Sequence, residues 1–274
     1  MLPRAVLLRG LALHCGREVA VELSAAPGPI AIEQRGARRA LAEMVVARAD
    51  RGVTIASPDG AIRLDLVEHL LAALGGLGVR SGLTLRTDDP ELPLLDGGAR
   101  SFCEALRALA LAPAPPSLAV TREATFTRGA SVYDFAPGRP IELEVDVVFR
   151  APVGAEAARW SGDADDFEAR IAPARTFGWV SDYEALRLAG RAAGVSLASV
   201  LVFDDAGALP GCAPAGEGEV ARHKLLDLIG DLALHGGPPR GKIRARLPGH
   251  GATHAIVQEA LAAGVLARAP EARW

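Results

Sequence analysis

A proline-rich segment, APAPPS at 112–117, is the feature that most constrains the fold of this chain. Proline fixes the backbone angle φ and removes a backbone donor, so this segment can continue neither a helix nor a central strand. The chain has 274 residues, which is more than a single hydrophobic core usually takes. We therefore expect two domains, at 1–111 and 118–274, joined by a linker at 112–117.

Both predicted domains contain strands and helices. Alternating residues at 140–149 predict a long strand, and the apolar run at 198–205 predicts a buried one. Helical patterns occupy 65–78, where Gly75 and Gly76 are expected to stop the helix, and 219–237. Because the elements do not alternate as regular β-α-β units, the sequence favours two α+β domains over a parallel doubly wound sheet.

Charge and composition exclude several classes of function. The formal net charge is -3 with no block of like charges, which argues against binding to nucleic acid or to a charged membrane surface. Three scattered cysteines indicate neither a disulfide framework nor an all-cysteine zinc site. Arg4 and Arg9 interrupt the apolar N-terminus, which predicts a first strand, not a signal peptide. We expect a cytoplasmic monomer without stable membrane insertion, since no uncharged apolar run approaches the ~18 residues that span a bilayer.

The predicted helix at 219–237 carries an acid or an imidazole at every fourth position. An α-helix advances about 100° per residue, so His223, Asp227 and Asp231 share one face while Glu219 and His235 lie off its ends. A histidine and an aspartate at this spacing can give one nitrogen and one oxygen to a metal ion. The alternative is a solvent-facing polar stripe on an amphipathic helix.

Glu68 and His69 lie side by side at the start of the predicted helix at 65–78. Taken singly, Glu68 could complete a capping box with Asp65, and His69 could be an ordinary helix histidine. Together with His223 and Asp227 they suggest a zinc site with three protein ligands, His69, His223 and Asp227, and an open position for water. Glu68 would then take the proton of the attacking water, which describes metal-assisted amide hydrolysis. The same donors would also accept Fe²⁺.

Lys224 directly follows His223 in a chain whose 30 basic residues include only two lysines. An ammonium is a compact point charge, whereas guanidinium is a wide fork. The choice of lysine here suggests a single contact to a phosphate or carboxylate, and chance is the alternative.

These motifs resemble those of the UDP-3-O-acyl-N-acetylglucosamine deacetylases, the zinc-dependent amidases of lipid A synthesis in Gram-negative bacteria. The resemblance covers nearly the full length in the order GLALHCG, VEHLLAALGGLGV, ELPLLDGGARSF, ARTFGWVSDYEALRLAG, SVLVFDD, RHKLLDLIGDL and GH at 249–250. It implies a two-domain α/β sandwich, each domain a mixed sheet packed on helices, with the active site at the domain interface. It also implies a small-molecule partner, an acylated UDP-amino sugar.

The resemblance assigns roles to individual positions. Zinc would be held by His69, His223 and Asp227, with Glu68 as general base and His250 as general acid, its charge tuned by Asp231. Thr176 would steady the oxyanion and Lys224 would bind substrate near the reacting centre. Further substrate contacts would come from Phe149, Phe177 and Ser196. An insert around 178–206 would form an apolar passage for the acyl chain.

Some positions depart from the family pattern. Val148 and Ala151 in VVFRAP at 147–152, which keeps Phe149, together with Leu247 and Val195, replace residues that the family uses around the nucleotide and the acyl passage. Either Arg150, Arg244 or Arg246 substitutes for the lost contacts, or the chain is a deacetylase of a different N-acetylated sugar, or a non-catalytic acyl-sugar-binding relative. The remaining histidines, His14, His235 and His254, are expected to have only structural roles. Cys15 is not expected to be a nucleophile.

Overall fold

A computed structural model describes residues 4–268 and shows a mixed α/β fold. The strands that precede the proline-rich segment are β1 Ala5–Leu11, β2 Glu18–Pro29, β3 Ala31–Gln34, β4 Ala37–Ala40, β5 Val45–Ala49, β6 Val53–Ala56, β7 Arg63–Asp65 and β8 Ser81–Arg86. The helices here are α1 Glu68–Gly76 and α2 Arg100–Ala108, with a short 3-10 turn at Leu41–Glu43. One sheet has the order β1-β2-β8-β3-β4, in which only the β3–β8 pair is parallel, and β5, β6 and β7 form an antiparallel sheet.

The strands that follow the segment are β9 Leu118–Val120, β10 Ala124–Arg128, β11 Ser131–Ala136, β12 Ile141–Val148, β13 Ala155–Trp160, β14 Thr176–Trp179, β15 Val200–Asp204, β16 Gly207–Ala208, β17 Gly241–Arg246 and β18 Leu266–Arg268. The helices are α3 Ala164–Asp166, α4 Val180–Leu188, α5 Glu219–Leu234 and α6 His250–Ala262, with a π-helical turn at Phe167–Ile171. The main sheet has the order β10-β11-β17-β12-β13, and its β12–β17 pair is parallel. Smaller sheets are β14-β15-β16 and β9-β18.

The predicted α+β class is confirmed, and so are the strands at 140–149 and 198–205 and the long helix α5. The prediction that the first helix stops at Gly75 and Gly76 is confirmed, because α1 ends at Gly76. These glycines also serve close packing. A Cβ on Gly75 would lie 3.0 Å from the Ile229 side chain, and one on Gly76 would lie 2.3 Å from the Phe167 ring.

The proline-rich segment contains neither helix nor strand, as predicted. It is held along its length by hydrogen bonds, from the Ala114 N–H to the Gly78 carbonyl at 2.9 Å and from the Ser117 hydroxyl to the Gly236 carbonyl at 2.5 Å. The largest hydrophobic cluster contains buried residues from both sides of the segment. The division into two domains there stays a prediction.

Helices α1 and α5 pack directly against each other, and this contact positions the candidate site. It is close because Gly230 of α5 has no side chain. A Cβ at Gly230 would lie 2.3 Å from the carbonyl oxygen of Glu68 and 3.1 Å from the Ala72 nitrogen. The first turn of α1 is therefore pressed against the middle of α5, which brings His69 beside the polar face of α5.

Among residues 4–268, none of the helices combines the length and the apolar composition that a membrane crossing needs. The cysteines Cys15, Cys103 and Cys212 are free thiols.

Candidate active site

His69 of α1 and His223 and Asp227 of α5 form one compact donor group. Each residue offers a ligand atom, and these atoms all lie within 4.8 Å of one another. The side chains are buried, with exposed fractions of 3%, 3% and 6%, and so is Asp231 at 1%. The interpretation of this helix face as a solvent-facing stripe is therefore wrong. The face is turned inward, toward α1.

The protonation of these donors suits a metal ion. Burial lowers the pKa of His69 to about 3 and also lowers the pKa of His223, so both imidazoles are neutral near pH 7. His223 Nδ1 lies 2.9 Å from the Ala174 carbonyl oxygen, to which it must donate. His223 Nε2, 3.5 Å from Asp227 Oδ1, is left as the free lone pair.

His69 and Asp227 are also in states that suit a metal ion. His69 Nδ1 is buried and has no hydrogen-bond partner among residues 4–268. Burial alone would raise the pKa of Asp227, but the neighbouring charges, that of Lys224 foremost, outweigh it and hold that pKa well below its usual range. Two neutral imidazoles and one ionised carboxylate are donors that Zn²⁺ accepts. The described residues thus fit a divalent metal ion.

Glu68 lies beside this donor group and is buried at 3% exposure. Its Oε2 accepts a hydrogen bond from the Val53 N–H at 2.9 Å. The capping-box interpretation is wrong, because Asp65 belongs to β7 and the residue before α1 is Val67, without a side-chain cap. Burial raises the pKa of Glu68 to about 7, where a carboxylate can both accept and release a proton near neutral pH.

His250, the first residue of α6, is paired with Asp231 of α5. Its Nδ1 lies 2.9 Å and 3.0 Å from the two carboxylate oxygens, to which it donates. Burial alone would lower the pKa of His250, but the charges of Asp231 and Asp227 outweigh it and raise that pKa to about 9. Asp231 thus raises the pKa of His250 against the opposing effects of burial and of the helix dipole, as the sequence predicts. Near pH 7 His250 is an imidazolium.

Lys224 points back to the donor group. Its Nζ donates to Asp227 Oδ2 at 2.7 Å. Burial lowers the pKa of the ammonium, but Asp227 raises it more, so Lys224 keeps its charge. The cation therefore lies against the donor group as a single point charge.

A cavity of about 680 Å³ opens over this group. At one end it is lined by the residues described above, Glu68, His69, His223, Lys224, Asp227 and His250, together with Thr176 and Phe177 of β14. Its other end is lined mainly by apolar side chains, among them Val180, Leu186, Val195, Leu197, Val200 and Val202. A polar group and an apolar wall in one cavity fit a ligand with a polar head and a hydrocarbon tail.

The comparisons with known proteins agree with this geometry. A family model described as UDP-3-O-acyl N-acetylglycosamine deacetylase matches residues 1–262. The chain belongs to this family. A relative from Myxococcus xanthus is 34% identical over 95% of this chain and 85% of its own length. Relatives from Syntrophotalea carbinolica and Pseudomonas entomophila are 31% and 30% identical, over 95% of this chain and 87% and 89% of theirs. All three are named UDP-3-O-acyl-N-acetylglucosamine deacetylase.

The substrate-contact positions taken from the deacetylase family fall at different distances from the site. Phe177 lines the cavity, and its ring centroid is 5.9 Å from that of His223. Phe149 lies behind it, with its ring 5.1 Å from Phe177 and 5.5 Å from Trp179. Ser196 bonds within its own turn, where its hydroxyl accepts from the Ala198 N–H at 3.3 Å, while its neighbours Val195 and Leu197 line the cavity.

The three arginines that could replace missing nucleotide contacts are separated by the fold. Arg244 pairs with Asp146 at 2.8 Å and Arg246 with Asp134 at 3.0 Å, all on the exposed face of the main sheet. Arg150 instead lies 4.8 Å over the ring of Trp179, which lines the cavity. Of the three, Arg150 is the one beside the cavity of this deacetylase-family member.

Several groups at the site escape sequence reasoning. The Val53 N–H and the Ala174 carbonyl are backbone atoms, for which no side-chain pattern exists. Glu219, which drifts off the polar face of α5, binds the Arg175 guanidinium at 2.8 Å and the Arg175 N–H at 3.1 Å. This pair fixes the backbone just before Thr176. Its only signal in the sequence is an acid at the start of the α5 stripe.

Proposed function

We propose that this protein hydrolyses the acetamide of UDP-3-O-acyl-N-acetylglucosamine, releasing acetate, as a metal-dependent step of lipid A synthesis in the cytoplasm. The proposal rests on membership of the deacetylase family together with the donor group and the two-ended cavity. We propose Zn²⁺ as the metal, held by His69, His223 and Asp227, with Fe²⁺ as the alternative that the same donors accept.

A divalent ion at this position supplies Lewis-acid activation of water and of the amide carbonyl. Glu68, fixed by the Val53 N–H, accepts the proton of the attacking water. His250 enters the reaction as an imidazolium, because Asp231 and Asp227 outweigh the effect of burial, and gives its proton to the leaving nitrogen. The base and the acid thus begin in opposite protonation states, as amide cleavage requires.

Thr176 and Lys224 act on charge in the transition state. The Thr176 hydroxyl donates to the oxyanion, and a preorganised donor of this kind is worth ~3–4 kcal/mol. Lys224, which bonds to Asp227 Oδ2, holds a positive charge beside the reacting carbonyl and the substrate diphosphate. Phe177 packs against the sugar side of the site, and the apolar wall around 178–206 receives the acyl chain. Phe149 and Ser196 support this wall from behind.

The observation that carries the proposal is the juxtaposition, in one cavity, of a buried group of two neutral imidazoles and one ionised carboxylate with a carboxylate base and a protonated imidazole. A module that only binds an acyl sugar has no use for Glu68 and His250 in opposite protonation states.

The decisive experiment measures metal content and acetate release from UDP-3-O-acyl-N-acetylglucosamine for the wild-type protein and for Glu68→Ala. We expect about one zinc per chain in both proteins and a fall of kcat of ~10²–10⁴-fold in the variant. Glu142→Ala is the matched control, because Glu142 lies on the main sheet. Metal binding without acetate release by the wild type would refute the reaction. Equal activity on the free acylated N-acetylglucosamine would point to a nucleotide-free sugar as the substrate.

A further inference from the structure

Asp231 contacts a second imidazole besides that of His250. His254 lies one turn further along α6, and its Nε2 is 3.3 Å from Asp231 Oδ1, an ion-pair distance without the alignment of a hydrogen bond. His254 is buried at 5% exposure. Among residues 4–268, these two histidines supply the side chains within ion-pair distance of the Asp231 carboxylate. The carboxylate is therefore shared between two imidazoles on one face of α6.

A third imidazole continues the series. His235, which follows the last turn of α5, places its Nε2 2.9 Å from His254 Nδ1. The two ring centroids are 5.2 Å apart. His235 is partly exposed, so the row His235–His254–Asp231–His250 runs from the edge of the protein to the reacting centre.

The position of the proton on His254 follows from the charge of Asp231. Burial alone would raise the pKa of Asp231, but the paired histidines, His250 foremost, outweigh it and hold that pKa well below its usual range. An ionised carboxylate only accepts hydrogen bonds, so His254 Nε2 must carry its proton toward Asp231. His254 Nδ1 is then free to pair with His235 Nε2, whichever of the two nitrogens carries that proton.

We propose that His254 is a positioning residue for the reaction of the same site, an inference that rests on the proposed function. Both Asp231 oxygens contact His250 Nδ1, and a carboxylate held on one side alone can turn about its last side-chain bond. The ion-pair contact of His254 Nε2 with Oδ1 opposes this rotation. It thereby keeps His250 oriented with Nε2, 3.8 Å from Asp227 Oδ2, toward the reacting centre. His235 holds the His254 ring in turn.

Three substitutions of His254 separate this role from packing. His254→Gln keeps an N–H donor at the position of Nε2, whereas His254→Asn keeps a polar group only at the position of Nδ1, and His254→Leu removes both. We expect kcat for acetate release to fall about tenfold in the Asn and Leu variants, with KM and zinc content unchanged, and to stay within about twofold of wild type in the Gln variant. A residue needed only for packing would tolerate Leu best.

A second measurement does not depend on catalysis. The Nδ1 proton of His250, observed by NMR in the substrate-free zinc protein, should give a sharp downfield signal in the wild type and in His254→Gln. It should broaden or vanish in His254→Asn and His254→Leu at an unchanged unfolding temperature. Wild-type kcat and signal in His254→Leu, or an equal loss in all three variants, would overturn the proposal. If the wild type released no acetate, the signal alone would still decide the role of His254.

Discussion

The two ends of the cavity are built in different ways. The reacting end stands on α1 and α5, two helices whose backbones nearly touch at Gly230, and its side chains are almost completely buried. The apolar end is the wall around 178–206, in which α4 contributes no buried residue. That end is attached through loops. The Arg191 guanidinium donates to the carbonyls of Asp50 and Arg51 at 2.9 Å and 2.6 Å, and the Gly194 N–H donates to the Leu13 carbonyl at 3.0 Å.

The two ends therefore suit different demands: fixed side-chain positions at the reacting end and a variable apolar surface at the other. Proton transfer needs groups fixed within hydrogen-bonding distance, and a packed helix pair provides such fixity. A hydrocarbon chain needs only an apolar surface of suitable length, and a surface segment can change without moving the helices. Substitutions at the reacting end should therefore act on kcat, the pH profile and stability, and substitutions in the wall should act on KM.

Among the substitutions that compare the two ends, the largest effect is expected at Thr176, where the wall joins the reacting end. Thr176→Val removes the hydroxyl with almost no change of volume and should lower kcat by ~10²–10³-fold at unchanged KM. Thr176→Ser, which keeps the hydroxyl, should retain most of the activity. Steady-state acetate release measures both variants. A rise of KM without a fall of kcat in Thr176→Val would mean that Thr176 belongs functionally to the wall.

The pH profile tests the acid and base at the reacting end. Activity should rise as Glu68 loses its proton near pH 7 and fall as His250 loses its proton near pH 9. Because the Asp231 charge helps to raise the pKa of His250, Asp231→Ala should move the falling limb to lower pH by ~1–3 units. The kcat/KM profile of wild type and variant, at equal zinc content, gives the shift. If the falling limb did not move in Asp231→Ala, Asp231 would not influence the pKa of the general acid His250.

The helix contact can be tested by adding one methyl group. Gly230→Ala places a Cβ 2.3 Å from the Glu68 carbonyl oxygen, so the helices must separate and the free energy of unfolding should fall by ~1–3 kcal/mol. Gly178→Ala is the control in the other region, since a Cβ there meets nothing within 4 Å. Denaturant unfolding measures both. If Gly230→Ala and Gly178→Ala had equal free energies of unfolding, the contact between the two helices would tolerate a methyl group as well as the wall does.

The smallest effect is expected in the wall itself. Leu186→Ala removes part of the apolar lining and should raise KM for a long-chain substrate by about fivefold, or ~1 kcal/mol, with kcat unchanged. Leu188 on the same helix is 76% exposed, so Leu188→Ala should change nothing. Kinetics with long and short acyl chains test the pair. A fall of kcat in Leu186→Ala would tie the wall to the chemistry.

The sequence predicts the reacting end better than its surroundings. His223 and Asp227 are one helical turn apart and Glu68 adjoins His69, so local spacing and the family resemblance suffice to select them. Gly75 and Gly76 correctly mark the end of α1, whereas the close approach of Ile229 and Phe167 to them depends on tertiary contacts that the sequence does not show. The row through His254 and His235 depends on how α6 lies against α5. No pattern along the chain predicts how close α6 and α5 come to each other.

The contact of α1 with α5 also sets an order of events during synthesis. His69 leaves the ribosome long before His223 and Asp227, and by itself one imidazole captures metal ions only weakly. The complete set of ligands exists only after the later helix has docked across Gly230. Loading of the proposed metal site would thus wait until α5 has docked on α1.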